Sequence, residues 1–269
     1  MSLSDIGYYP NVDEPILPGA RFSFAQNWED AYLHRVLGEL KDGFYVDVGA
    51  WHPTRDSVTR LFYDLGWTGI NLEPGDMFEA LEAARPRDVN LPIAIAAVAG
   101  KRAFLDLTDV DGSPAGTSHL DFGGETSVSD PSASRRSVET RPLSDVLSEH
   151  ASDREIHFMK IDVEGAEREV LLSNDWTRFR PWILVVEATL PGSPEMTHHV
   201  WEEILTDAGY MRAFFDGLNM YYVRDDKADF VPLLNRPINV FDQFRRFEPS
   251  VAETHVILGE LDQALSESE

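Results

Sequence analysis

A carboxylate beside a glycine turn is the first feature of this 269-residue sequence that could bind a ligand. The apolar run Phe44–Val48 predicts a buried strand, with Asp47 near its carboxyl end and Gly49 and Ala50 at the following turn. In an open α/β sheet, ligands bind beyond the carboxyl ends of the strands, and small residues there let the backbone approach a ligand closely. The turn lacks the full Gly-x-Gly-x-x-Gly of a dinucleotide-binding loop, because bulky residues such as Trp51 replace the later glycines. The turn therefore indicates a nucleotide-binding crevice but does not identify which nucleotide cofactor binds there.

A second carboxylate, Glu73, follows the apolar run Ile70–Leu72 and precedes Pro74. In nucleotide-binding sheets, an acid at the end of the second strand accepts hydrogen bonds from the hydroxyl groups of a ribose. A solvated acid in a turn explains the same residue without any ligand. Because Glu73 falls in register with the glycine turn, we expect Glu73 and Pro74 to line the site of a nucleotide cofactor.

Two more acids, Asp162 and Glu164, come at the end of the predicted strand His157–Val163, just before Gly165. Their simpler interpretation is that they lie near a helix N-terminus, where negative charge is stabilised by the helix dipole. The carboxyl ends of parallel strands meet at one edge of a sheet, however. We therefore expect both acids to face the same crevice as the glycine turn.

The elements that must position these residues alternate between helix and strand, which predicts an α/β fold with helices on both faces of the sheet. The chain then changes pattern and ends in two strands joined by a short polar turn, which predicts an antiparallel hairpin. A sheet closed in this way is the Rossmann-like, seven-stranded, mostly parallel arrangement of class I methyltransferases, whereas a nicotinamide-binding sheet normally continues with parallel strands. We expect strands at 44–48, 70–72, 89–97, 101–107, 157–163 and 182–187, a helix at 194–208, and hairpin strands at 210–215 and 220–223.

The length suits one large domain. Within a single domain spanning 1–269, we expect an N-terminal arm at 1–21, a catalytic core at 22–225 and a C-terminal extension at 226–269 that packs on the core. Residues 108–137 are rich in Gly, Ser, Pro and Asp. They predict a long loop, which is either a lid over a ligand or an insertion.

The net charge and the absence of cysteine limit which ligands and binding partners the protein is expected to have. The net charge of −24 disfavours nucleic acid and anionic membrane surfaces and favours a neutral acceptor or a cationic cofactor. The sequence has no cysteine, which excludes disulfides, thiolate zinc sites and a cysteine nucleophile. No apolar run approaches the roughly 18 residues of a membrane span, and we expect a cytoplasmic protein. The apolar tail makes a homodimer a candidate assembly.

Several segments together resemble the FkbM-type family of S-adenosylmethionine-dependent methyltransferases. They are Ala25–Asp30, Phe44–Ala50, Gly66–Pro74 and Met159–Glu167, with Asn239–Asp242 in the tail. The resemblance implies the fold above, S-adenosylmethionine as cofactor, and an acceptor hydroxyl on a sugar, an oligosaccharide or polysaccharide, or a glycosylated natural product. It places Asp47, Gly49, Ala50, Ser57, Glu73, Pro74 and Asp162 against the cofactor, with Gln26 and Asp30 closing over its methionine end.

A sugar hydroxyl is a poor nucleophile at neutral pH, so its proton must go to a base or its pKa must be lowered by a divalent metal. Asp162 and Glu187 end neighbouring predicted strands and are candidate ligands for Mg²⁺, with Glu164 as a third ligand or as the base. Alternatively, Asp162 contacts the cofactor and no metal binds. Histidine is the other type of candidate base, at His52, His198 and His199 and, in the long loop, His119.

Two other functions stay open at this point. One is a nicotinamide-dependent oxidoreductase on a Rossmann sheet, and the other is a non-catalytic interaction protein with a methyltransferase fold.

Overall fold

The computed structural model describes residues 21–108, 116–120 and 134–247. Most of the predicted arm, at 1–20, and the last part of the predicted extension, at 248–269, lie outside the described residues. The chain divides into two compact units. The larger one spans Phe24–Ile238, and the described part of the smaller one consists of 21–23 and 239–247.

In chain order, the described residues form the following strands and α-helices: β1 (Arg21–Ser23), α1 (Glu29–Leu37), β2 (Phe44–Val48), α2 (Arg60–Asp64), β3 (Thr68–Leu72), α3 (Phe78–Ala84), β4 (Val89–Leu91), β5 (Ile93–Ile95), β6 (Gly100–Asp106), β7 (His119–Leu120), β8 (Ser134–Arg141), α4 (Leu143–His150), β9 (Phe158–Ile161), α5 (Glu167–Leu172), β10 (Ile183–Glu187), α6 (Glu202–Asp207), β11 (Tyr210–Phe215), β12 (Asn219–Arg224), α7 (Val231–Leu234) and β13 (Phe244–Arg246).

The main sheet of the larger unit has seven strands in the order β4-β3-β2-β9-β10-β12-β11. Numbered by their place along the chain, these strands run 3-2-1-4-5-7-6. All neighbours pair in parallel except β12, which is antiparallel to both β10 and β11. This is the class I methyltransferase arrangement, and the predicted closing hairpin is confirmed.

Both faces of this sheet are covered. Every residue of β2, β9 and β10 is buried, as expected for central strands of a parallel sheet. Alternate residues pack into two separate hydrophobic clusters, one beneath α4, α5 and α6 and the other beneath α1, α2 and α7. In β2, Val46 and Val48 belong to the first cluster, whereas Tyr45 belongs to the second.

A second, four-stranded sheet corrects two expectations. The predicted strand at 89–97 is interrupted at Pro92, which has no amide hydrogen for a ladder. β4 stays in the main sheet, and β5 joins a sheet of order β5-β8-β6-β7. The predicted loop at 108–137 is also not all loop, since it contains β7 and the start of β8. Its residues 109–115 and 121–133 lie outside the described residues.

The helix predicted at 194–208 is shorter than expected. Thr189 bridges to Met196, a 3₁₀ helix spans His198–Val200, and α-helical structure begins only at Glu202. The backbone before Glu202 is turned back on β10 by hydrogen bonds such as that from Thr197 N to Ala188 O, 2.7 Å. The first half of the predicted helix is therefore a loop that includes one 3₁₀ turn.

In the smaller unit, β1 pairs in parallel with β13. A 3₁₀ helix at Val240–Asp242 is capped by Asn239, whose side chain accepts a hydrogen bond from Phe241 N. Within the described ranges of both units, no helix combines the length and apolar character that crossing a membrane requires.

Candidate functional site

A cavity of about 280 Å³ opens at the carboxyl edge of the main sheet. Its walls come from the turns after β2, β3 and β9, from the start of α1, and from β5, β6 and β7 of the second sheet. The predicted site residues on these walls are Gln26, Gly49, Ala50, Glu73, Pro74, Asp162 and Glu164, together with His119. Seven others do not line the cavity: Asp30, Asp47, His52, Ser57, Glu187, His198 and His199.

The glycine turn has no room for a side chain. Gly49 has φ +81°, in the left-handed region that favours glycine. A Cβ atom at this position would lie 1.9 Å from the carbonyl oxygen of Asp162. The amide groups of Gly49 and Ala50 both donate to Leu72 O. The turn is thus held by hydrogen bonds to the end of β3 and by close packing against the end of β9. Its backbone forms part of the cavity wall.

Glu73 is buried against this turn. Its Oε2 accepts a hydrogen bond from Trp51 N at 2.6 Å, and its Oε1 accepts one from Gly75 N at 2.5 Å. Burial raises the pKa of Glu73, although these two hydrogen bonds oppose the shift. Each carboxylate oxygen keeps a lone pair, so Glu73 can still accept hydrogen bonds from two neighbouring hydroxyl groups, as a ribose presents them.

Asp47 points away from the cavity, toward α2. Its Oδ2 accepts a hydrogen bond from Thr59 Oγ1 at 2.8 Å, and its Oδ1 lies 3.6 Å from Lys160 Nζ. The reason is the period of two along β2, which turns Asp47 to the same face as Tyr45. A direct contact between the Asp47 side chain and the cofactor therefore stays a prediction that this geometry does not support.

Lys160 is the residue that sequence reasoning missed. It is buried in β9 and lines the cavity, where its Nζ donates to Gly49 O at 2.7 Å and lies 3.3 Å from Asp162 Oδ2. Burial opposes its charge, but Asp162 and Asp47 outweigh burial and raise its pKa, so it stays protonated. The signal available in the sequence was a lysine inside an apolar run that predicts a buried strand; its pairing with Asp47 is visible only in the structure.

Three carboxylates meet beyond the ends of β9 and β10. Ligand oxygens of Asp162, Glu164 and Glu187 all lie within 4.8 Å of one another. Glu164 has φ +54°, a conformation that costs a non-glycine residue free energy and is often found at functional sites. Burial and then the charge of Asp162 raise the pKa of Glu187 to about 11 and that of Glu164 to about 8.

This cluster fits a divalent cation. The Oε2 atoms of Glu164 and Glu187 are buried and have no hydrogen-bond partner among the described residues. An uncompensated buried carboxylate oxygen is costly, and a cation would compensate it. All the ligand atoms are oxygens, which suits Mg²⁺ or another hard ion. Glu187 does not itself line the cavity, but Asp162 and Glu164 do.

The histidines are placed less favourably than the acids. His52 Nδ1 accepts hydrogen bonds from Thr54 N and Arg55 N, at 3.0 and 2.8 Å, and so closes its own loop. Burial and then Arg55 lower the pKa of His52 to about 4, which makes it a weak base. His198 lies 3.9 Å from Glu202 and His199 is exposed. Of the histidines considered as bases, His119 is the one on the cavity wall.

The start of α1 presents Glu29 rather than Asp30 to the cavity. Asp30 is fully buried and accepts a hydrogen bond from Phe24 N at 2.7 Å. Glu29 accepts hydrogen bonds from Asn27 N and Asn219 Nδ2, at 2.6 and 2.8 Å, and lines the cavity with Gln26. Burial and then the charge of Asp216 raise the pKa of Glu29 to about 8.

This pKa predicts a pH dependence of stability. Between its usual pKa of 4.5 and about 8, the folded protein holds a proton on Glu29 that the unfolded chain releases, so stability falls as pH rises through this range. A Glu29→Gln variant is neutral throughout. Its melting temperature is expected to fall less than that of the wild type between pH 5 and 8, as measured by calorimetry without ligand.

The matched control for this prediction is Glu203→Gln, which removes an exposed acid and is expected to keep the wild-type slope. Other buried acids, such as Glu167 with a pKa of about 7, leave a residual slope in both variants. Parallel curves for wild type and Glu29→Gln would show that Glu29 is ionised in the folded protein at neutral pH.

The chain was compared with family models, curated protein sequences and solved structures. No curated protein sequence matches the chain. A similar solved structure is that of a TehB-like SAM-dependent methyltransferase from Corynebacterium glutamicum, with 9% identity over 73% of this chain and 87% of that chain and a TM-score of 0.39. The model of the methyltransferase FkbM domain matches residues 47–211, from the first glycine turn to the closing hairpin. The chain therefore belongs to the FkbM family of S-adenosylmethionine-dependent methyltransferases.

Proposed function

We propose that the protein transfers a methyl group from S-adenosylmethionine to a hydroxyl oxygen of a neutral acceptor: a sugar, an oligosaccharide or polysaccharide, or a glycosylated natural product. The observation that carries this proposal is the acid cluster of Asp162, Glu164 and Glu187 at the edge of the cavity that holds the glycine turn. Such a cluster supplies what a hydroxyl acceptor needs, namely a base and a site for a cation.

The charge of the cavity suits this cofactor and a neutral acceptor. Acidic side chains that include Asp56, Asp76 and Asp162 line it, and Lys160 is the one lysine or arginine among the described lining residues. Carboxylates stabilise a cation such as a sulfonium, whereas a phosphate or uronate acceptor would be repelled. Glu73 would accept hydrogen bonds from the ribose, and Gln26 and Glu29 would face the methionine end.

Glu164 is the proposed base. During transfer, the bond between sulfur and methyl carbon breaks, the bond between carbon and the acceptor oxygen forms, and the hydroxyl proton must leave. Glu164 lines the cavity and has a pKa of about 8, close to the pH at which a general base works best. Its left-handed backbone conformation holds its carboxylate beside that of Asp162.

We further propose that Asp162 and Glu187 hold a divalent cation beside Glu164, with Mg²⁺ as the candidate. When bound, such an ion lowers the pKa of a coordinated hydroxyl group. Lys160, 3.3 Å from Asp162, is expected to hold the Asp162 side chain in place whether or not the ion is present.

A transfer assay tests the function directly. The protein is incubated with S-adenosylmethionine carrying a labelled methyl group and with neutral oligosaccharides, each paired with its phosphorylated or uronic acid counterpart. We expect labelled ether methyl groups, located by mass spectrometry and NMR, on the neutral member of a pair. Label on nitrogen or carbon, or preference for the anionic member, would contradict the proposal.

A calorimetric titration separates the cofactor site from the two other functions considered. S-adenosylhomocysteine is expected to bind at micromolar concentration and NAD not to bind, since the turn after β2 lacks the glycines that let a pyrophosphate approach. Binding of NAD at comparable affinity would contradict this prediction. Binding of S-adenosylhomocysteine without transfer to any acceptor of the panel would favour a non-catalytic role.

A further inference from the structure

Arg85 is a buried charge that the proposed chemistry does not use. It follows α3 and is fully buried. No carboxylate in the described part of the chain forms an ion pair with it. The charges of Asp47 and Asp88 act on it at longer range, so its direct contacts are hydrogen bonds to uncharged groups and an aromatic ring rather than a salt bridge.

Two of the hydrogen bonds that Arg85 donates go to the loop between β2 and α2. Its Nη2 donates to Pro53 O at 2.7 Å and to Ser57 Oγ at 3.1 Å. Its Nη1 donates to Tyr45 OH at 3.3 Å, and that hydroxyl donates in turn to Asp88 at 2.5 Å. The guanidinium thus connects the loop between β2 and α2 to the buried Tyr45 of β2 and, through the Tyr45 hydroxyl, to the half-buried Asp88.

The loop between β2 and α2 contains two residues in unfavourable backbone conformations, which need stabilising contacts. Trp51 has φ +47° and Asp56 has φ +52°, and both are non-glycine residues in the left-handed region. Such conformations persist only where the surroundings impose them. Trp51, Asp56 and Val58 line the cavity, whereas the Arg85 side chain does not. The two residues that Arg85 holds, Pro53 and Ser57, lie between and beside the strained ones.

We propose that Arg85 is a positioning residue, which fixes the 51–58 loop in the conformation that binds the cofactor without touching the cofactor itself. Ser57, expected from the sequence to contact the cofactor, then acts as an acceptor for Arg85. The inference goes beyond the proposed function, since it depends on neither the acceptor nor the metal. A protein that binds S-adenosylhomocysteine but methylates no hydroxyl would refute the proposed function and leave this inference intact.

The test compares two arginines that contact the same ring. The guanidinium carbon of Arg85 lies 4.9 Å from the centre of the Tyr63 ring and that of Arg87 lies 3.7 Å from it, but Arg87 donates only to Tyr63 O among the described residues. Arg85→Met is expected to weaken S-adenosylhomocysteine binding at least tenfold, because hydrogen bonds from a charged donor are lost. Arg87→Met is expected to change it less than twofold, even where it lowers the melting temperature. Affinities are measured by calorimetry well below the melting temperature of each variant.

Two outcomes would overturn the inference: wild-type affinity in folded Arg85→Met, or equal loss in Arg87→Met, which would indicate general destabilisation. If Arg85→Met does not fold, Arg85→Lys and Ser57→Ala decide. A lysine reaches one acceptor, so we expect each of these variants to weaken binding about threefold and the double variant to bind no more weakly than Arg85→Lys alone. Wild-type affinity in Ser57→Ala, or independent losses that multiply, would contradict the link between Arg85 and Ser57.

Discussion

The Gly49→Ala variant is expected to lose binding of S-adenosylhomocysteine by about 100-fold or more while the fold survives. An L-residue at φ +81° costs roughly 1–2 kcal/mol. The larger effect comes from the new Cβ atom, 1.9 Å from the carbonyl oxygen of Asp162, because backbone cannot move aside as a side chain can. The turn must shift away from the end of β9, which moves the backbone that forms this part of the cavity wall; a 100-fold loss of affinity corresponds to about 2.8 kcal/mol. Calorimetric titration with S-adenosylhomocysteine measures the loss.

A second glycine variant serves as a control that distinguishes the effect of the steric clash from the effect of the positive φ. Gly66 has φ +94°, and nothing lies within 4 Å of a Cβ atom built on it. It lies between α2 and β3, at the edge of the sheet away from the cavity. Gly66→Ala is expected to lower the melting temperature by a few degrees and to leave the dissociation constant within twofold. Equal affinity in Gly49→Ala and Gly66→Ala would show that the turn after β2 does not hold the cofactor.

The Glu187→Gln variant is expected to lose Mg²⁺ binding and to slow methyl transfer by about 100-fold or more, since a divalent cation contributes several kcal/mol to stabilising developing negative charge. Its affinity for S-adenosylhomocysteine is expected to stay within about threefold of the wild type, because Glu187 does not line the cavity. Transfer is measured after treatment with EDTA and again after Mg²⁺ is added back.

The control for this variant is Glu195→Gln, the same substitution on an exposed residue of the loop after β10, which is expected to behave as wild type. Full activity of the wild type after chelation would rule out the metal. If the wild type needs Mg²⁺ and Glu187→Gln retains both Mg²⁺ binding and activity, the ion binds elsewhere.

The parts of the site that could be predicted are those fixed by the ends of strands. Gly49, Glu73, Asp162 and Glu164 all follow buried apolar runs, and parallel pairing carries such positions to one edge of the sheet. The hairpin at 210–224 could also be predicted, because two strand-forming segments joined by a short polar turn are typical of a β-hairpin.

The parts that could not be predicted depend on side-chain direction and on distant pairing. Asp47 comes one residue before the end of β2, and that single step turns its side chain away from the cavity, toward Thr59 and Lys160. His52 was a plausible base by position, but its Nδ1 is used within its own loop. The second sheet depends on β8 pairing with β5 and β6, which no local pattern reveals.

A crystal structure of the protein with S-adenosylhomocysteine and Mg²⁺ would test the central claim most directly. The account predicts the ribose hydroxyl groups on Glu73, the sulfur facing Asp162 and Glu164, and one ion bound by Asp162 and Glu187 beside Glu164. A ribose bound elsewhere, or a sulfur that points away from the acid cluster, would contradict it.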